Sequence, residues 1–269
     1  MVELREIHGL NMESSNVIAK KIISDFKGKK GVFSEFSFPP EFDLPEKMDK
    51  GSEEHLAYQT LTLSLNYMRD AQKLYKQSHD AWLSSENKWI FYPDEVMEKG
   101  IEKLTKLFNQ IKDQRPNQDS RIWFTICKTI HERFEGSIRK MFKILEEDAI
   151  KISDYVEQNK KNFPYLAGNK IKPLWLRVIN DTAGIRLNRI KDIPIPVDVH
   201  TARLSLKILF NESFKGVVTN DTRIKVQEGW KQVLESEEFY PLQLDEPLWI
   251  LGKYKLFDKF MRKGKAIEE

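Results

Sequence analysis

The sequence predicts an essentially all-α protein, and three observations predict it. Apolar residues recur at spacings of three and four along most of the 269 residues. No segment shows the strict alternation of a half-buried strand. The periodic runs are also punctuated in the helical manner, with cap residues and prolines at their starts and glycine or proline stretches at their ends.

Residues 12 to 27 make the first expected helix, with Val17, Ile18, Ile22, Ile23 and Phe26 as its apolar groups, and Gly28-Lys29-Lys30-Gly31 ends it. Phe33 to Gly51 holds Pro39, Pro40 and Pro45 and reads as extended loop. At Ser52 the pattern turns helical. Ser52 is an N-cap residue followed by the acidic pair Glu53 and Glu54. Leu56, Leu61, Leu63, Leu65 and Met68 then place apolar groups nearly all round, so this helix is expected to be buried. Pro93 with Asp94 and Glu95 opens the next helix, because proline suits the first position and carboxylates suit the positive end of the dipole. Arg115 to Ser120 reads as loop. Trp123, Ile126, Ile130 and Phe134 mark one further run, and Ile138, Met141, Leu145 and Ile152 another. Asn162-Phe163-Pro164 stops it. Ile193-Pro194-Ile195-Pro196-Val197 is extended by its prolines, and Asp198 opens a helix carrying Val199, Ala202, Leu206 and Leu209. Later runs centre on Trp230 and on Pro247 to Leu251.

Composition narrows the function classes. Hydrophobic residues are 40% and charged residues 32%, an ordinary globular balance. No apolar run approaches the roughly 20 residues of a membrane helix. The start has no apolar signal-peptide core, so a cytoplasmic location is expected. The single cysteine, Cys127, excludes a disulfide framework and a four-cysteine metal or iron–sulfur site. His55 and His79 lack acidic or cysteine partners at ligand spacing, so no metal site is expected. Net charge is +3, but it is unevenly spread: residues 160–215 hold eleven Lys/Arg against four Asp/Glu, whereas residues 1–60 hold eight against eleven. The basic stretch reads either as a solvated face or as a phosphate-contacting surface.

Two features stand together in that stretch. One is a turn leading into a helix, Leu166-Ala167-Gly168-Asn169-Lys170-Ile171-Lys172-Pro173-Leu174. A turn that aims backbone N–H groups outward at a helix start is an anion site, and a lysine there can contact phosphate or attack a sugar carbon. The other is Pro196-Val197-Asp198-Val199-His200-Thr201-Ala202-Arg203, in which Asp198 keeps its charge easily beside the helix dipole.

Together these phrases resemble the helix-hairpin-helix base-excision DNA glycosylases, in which Leu-Pro-Gly-Val-Gly-x-Lys-x-Ala precedes Val-Asp-x-His-x-x-Arg. Leu166, Gly168 and Lys172 fall on the first motif; Val197, Asp198, His200 and Arg203 fall on the second. The archaeal 8-oxoguanine glycosylase family is closer still. Its Ile-Pro-Ile-Pro-Val-Asp phrase is similar to Ile193 to Asp198, its Asp-x-Pro-Leu-Trp phrase to Asp245 to Trp249, and its early Tyr-Gln pair to Tyr58-Gln59. The chain departs at Lys170, where the family has a second hairpin glycine, and at Leu174, where it has alanine. Those changes fall on the family's monovalent-cation site at the hairpin.

The resemblance implies a helix-hairpin-helix fold of two helical lobes around a cleft, and a monomer acting on double-stranded DNA with a damaged base. It implies Lys172 as nucleophile and Asp198 as catalytic carboxylate, with no metal or redox cofactor. Gln59, Asp245, Trp249 and Trp89 would bind the flipped base, and Gly168, Lys170, His200 and Arg203 the DNA backbone. Residue types alone leave simpler roles open: Asp198 as an N-cap, Gln59 satisfying a core carbonyl, Trp249 as core packing and His200 as a prop of its loop. Residues 1–51, a helix and a proline-containing loop, match nothing in the resemblance and are assigned no role beside a glycosylase-like domain at 52–269. In that domain the hairpin and catalytic loop occupy about 160–205, and helices of 215–269 complete the pocket. Competing readings are a non-catalytic nucleic-acid-binding module, a glycosylase for another damaged base or nucleoside, and a helical scaffold.

Overall fold

The computed structural model describes residues 9–36, 39–111 and 113–263. Among them there are helices and turns but no strand, as the periodicity predicts. The helices are α1 Met12–Lys27, α2 Glu53–Ser64, α3 Ala71–Leu83, α4 Pro93–Gln110, α5 Pro116–Phe134 and α6 Ile138–Ile144, then α7 Ala149–Gln158, α8 Ile171–Thr182, α9 Val199–Phe210, α10 Asn220–Leu234, α11 Asp245–Lys253 and α12 Phe257–Lys263.

Most boundaries follow from local chemistry. Ser52 Oγ accepts from the His55 N–H at 3.1 Å, capping α2, whose residues from His55 to Ser64 are all buried. Pro93 and Pro116 both stand at the first turns of their helices. The second corrects the loop expected at 115–120: Pro116 starts α5, with Asp119 favouring its first turn. Three further expectations need correction. The run from Ile138 to Ile152 is two helices, broken where Glu146 and Glu147 adopt left-handed φ of 60° and 51° and Asp148 caps α7. Residues 71–83 form a helix the sequence reading passed over, although Leu74, Tyr75, Ser78, Ala81 and Trp82 line one buried face behind an Asp70 cap. The stretch from Phe33 to Gly51 contains two 3-10 turns, Gly31–Glu35 and Pro40–Phe42.

The chain divides into two compact units. One comprises Met1–Ser37 and Lys191–Glu269, the other Phe38–Ile190. This replaces the expected boundary near residue 51. Helix α1 belongs with the C-terminal helices because Ala19, Ile22 and Ile23 enter the same apolar cluster as Leu209, Trp230 and Leu248. In the other unit α4 packs along α5, and Phe91, Phe108 and Trp123 form an edge-on aromatic core.

Candidate active site

The residues singled out by sequence fall in both units. In the 38–190 unit, the turn between α7 and α8 is built by its own backbone. Ala167 N–H donates to Phe163 O, Gly168 N–H to Tyr165 O at 2.9 Å, and Lys172 N–H to Gly168 O at 2.9 Å. Leu166 is fully buried and anchors the turn. Gly168 is required by close approach: a Cβ there would lie 2.9 Å from the Tyr165 carbonyl oxygen. Its N–H points into the turn, so it does not project toward a phosphate as expected. Lys170, in the place of the family's second glycine, sits at φ −96°, ψ −46°, an ordinary right-handed conformation that lysine adopts without strain. The left-handed residue of this turn is Tyr165, at φ 58°. Its ring packs against Tyr67 at 5.3 Å, and its hydroxyl accepts from Gln118 Nε2 at 2.7 Å.

Lys172 is the second residue of α8 and is largely buried. Its ammonium pairs with Glu157 in the last turn of α7. Glu157 was not singled out by sequence, since nothing in a 15-residue separation marks the two as partners. Arg177, five residues on, directs its guanidinium to Glu41 at 2.9 Å and Asp181 at 3.9 Å, so its charge is engaged there.

Gln59 is 0% exposed. Its Oε1 accepts from the Tyr75 hydroxyl and its Nε2 donates to the Glu41 carbonyl, both at 2.8 Å. As it stands the amide has no surface for a base to meet. It orders Glu41, which holds Arg177 of α8. Beside it, burial and then the Lys50 charge push the His55 imidazole down to about 4. The ring is neutral at physiological pH, with Nδ1 accepting the Gly51 N–H at 2.9 Å. Trp89 is also buried, with Lys99 Nζ 5.4 Å from its ring centre. Behind the turn, Arg69 is buried between Asp113 and Asp119. Burial, then the Asp113 carboxylate, hold Asp119 well above the usual carboxylate range, while Arg69 acts in the opposite sense.

The unit completed by residues 191–269 holds the second group. Asp198 caps α9: its Oδ1 accepts from the N–H groups of His200 at 2.8 Å and Thr201 at 2.9 Å. Both amides belong to the first turn of α9, at the positive end of the helix dipole. Helix α11 packs on α9 through Gly252, where a Cβ would stand 2.8 Å from the His200 carbonyl oxygen. Asp245, Trp249 and Gly252 are spaced at i, i+4 and i+7 and so share one stripe of α11, the stripe that meets the start of α9. Asp245 lies in the first turn of α11 and is buried. Trp249 is partly buried, with Lys253 Nζ 4.3 Å from its ring centre. His200 meets Asp198 through its backbone N–H. Its Nδ1 is buried and has no hydrogen-bond partner among the described residues. Arg203 is exposed and lines an open groove of about 610 Å³ with Lys207, Asn211 and Lys215.

Residues 175–268, the stretch containing Asp198, Asp245 and Trp249, match the family model AGOG, described as N-glycosylase/DNA lyase. That stretch is about a third of the chain, and the similarity to the family is a similarity of that stretch. The match begins three residues after Lys172, so the hairpin lies outside it. The all-helical fold is shared with the 8-oxoguanine DNA glycosylase of Thermotoga maritima, at a TM-score of 0.52 and 18% identity. The alignment covers 89% of this chain and 97% of that one, and at this identity the likeness is one of fold. No curated protein sequence matches the chain. Among the described residues no cluster of His, Cys, Asp or Glu is arranged to hold a metal ion, and no helix is long and apolar enough to cross a membrane.

Proposed function

We propose that the chain excises oxidised guanine, 8-oxoguanine, from double-stranded DNA and then cleaves the strand, working as a cytoplasmic, nucleoid-associated monomer. The observation that carries this reading is the Asp198 turn. A carboxylate fixed by two backbone amides lies beside a helix whose packed stripe bears Asp245 and Trp249, all within the family match.

A base inside a duplex cannot be reached, so it is first flipped out. Trp249 offers a face for stacking, and Asp245 accepts from purine N–H groups. Asp198 stabilises positive charge developing on the sugar. Lys172, as a neutral amine, forms a bond from Nζ to C1′. The bond from C1′ to the base breaks, its electron pair leaves with the base, and the base takes a proton from water. Opening of the sugar ring and loss of the Nζ proton give an imine. Loss of a C2′ proton then expels the 3′ phosphate.

The test is to incubate the protein with a duplex carrying one 8-oxoguanine, add borohydride, and look for a covalent protein–DNA band. A band that is lost in Lys172→Gln establishes the imine and its nucleophile. Released base without a band leaves a monofunctional glycosylase centred on Asp198. Tight binding with neither band nor released base overturns the enzymatic reading. It would favour a DNA-binding module, a reading that the position of Lys172 outside the family match also supports.

A further inference from the structure

The contact between Lys172 and Glu157 does more than neutralise two charges. Lys172 is held at its backbone by the N–H bond to Gly168 O, and its side chain is only 10% exposed. Glu157 is the opposite, with a side chain 63% exposed. It also stands in the last turn of α7, where the negative end of the helix dipole opposes a carboxylate. Its pairing with Lys172 offsets that placement. An ammonium in such a pair has no lone pair to offer, whereas attack on a sugar carbon needs one. Because the Glu157 carboxylate is mostly in water, it can leave the pair and be resolvated at modest cost. Approaching phosphates add negative charge beside the exposed carboxylate and disfavour it further.

We infer that Glu157 is the positioning residue of the nucleophile: before DNA binds, its carboxylate clamps the Lys172 ammonium, and substrate engagement opens the clamp. This rests on the lysine chemistry proposed above.

The first test needs no DNA. The folded protein is treated with limiting formaldehyde and cyanoborohydride, and methylation of each lysine is followed by mass spectrometry. Lys172 in Glu157→Gln should react about threefold faster than in the wild type, the scale of a half-exposed ion pair. Glu157→Asp, which keeps the charge, should stay near the wild-type rate, and the other lysines serve as internal controls of folding. An unchanged Lys172 rate in Glu157→Gln overturns the clamp. The second test is the single-turnover rate of borohydride trapping on the 8-oxoguanine duplex with enzyme saturating, where differences in affinity do not register. Because bound DNA has already opened the clamp, an equal rate in Glu157→Gln supports it; a faster rate shows that DNA does not open the pair, a slower rate shows that Glu157 serves the bound state, and either overturns it. If the wild type gives no trapped product, the lysine chemistry fails, and the methylation result still decides whether Glu157 clamps the amine.

Discussion

Lys172 and Asp198 are held in different ways. Asp198 is fixed by amides two and three residues ahead of it, so its position is a property of its own turn. Lys172 sits on a turn whose ring stack involves Tyr67 and whose hydroxyl partner is Gln118, and its ammonium answers to Glu157. A carboxylate that stabilises charge gains from being rigid. A lysine that must change from a paired cation to a free amine gains from a contact that can be broken.

The comparison is broken most severely by removing the charges themselves. Asp198→Asn should slow base excision about 10²- to 10³-fold, the cost of losing a preorganised electrostatic group. Asparagine caps helices as well as aspartate does, so the thermal midpoint should move little. Asp198→Ala should add a loss of about 1 kcal/mol of stability. Equal damage to folding by both variants would reduce Asp198 to a cap.

Acid should separate the two units next. The His55 imidazole titrates at about 4 when folded and near 6.5 when unfolded. A depressed histidine leaves the unfolded chain binding more protons between those values, so stability is full above pH 6.5 and falls as pH drops toward 4. The loss over that window is about 3 kcal/mol for this group. Hydrogen exchange should show it in α2 and α8, and His55→Gln should flatten the dependence.

Gly252→Ala forces α11 away from the His200 carbonyl and should cost about 1–3 kcal/mol, as overpacking does. Excision should fall with it, because the displaced turn carries Asp198. A variant with wild-type stability would show that the two helices separate freely. The smallest effect belongs to Arg203→Ala: DNA affinity should weaken regardless of sequence, with the salt dependence of log Kd reduced by about one phosphate contact. An unchanged salt slope would leave the groove of Arg203 outside the DNA surface.

How much of this was legible in advance varied by residue. The Asp198 turn was readable because a cap needs only an acceptor side chain and the next three residues. Asp245 and Trp249 were singled out because their phrase resembles the family's, and the stripe they share on α11 came from the structure. The contacts of Gln59 were not readable, because an amide on an apolar helix gives no sign of the backbone of Glu41, 18 residues away. Lys170 stands where the family has glycine, yet the left-handed residue of the turn is Tyr165, which no sequence pattern marked.

Helix class, most helix starts and the α9 cap were determined by the sequence alone, because backbone hydrogen bonds and dipoles act over one turn. Three matters were decided only in the tertiary structure: the grouping of α1 with the C-terminal helices, the burial of Gln59 and Trp89, and the pairing of Lys172 with Glu157. Each depends on which side chains the folded chain brings together, and packing and Coulomb attraction act through space, across separations that local patterning does not encode.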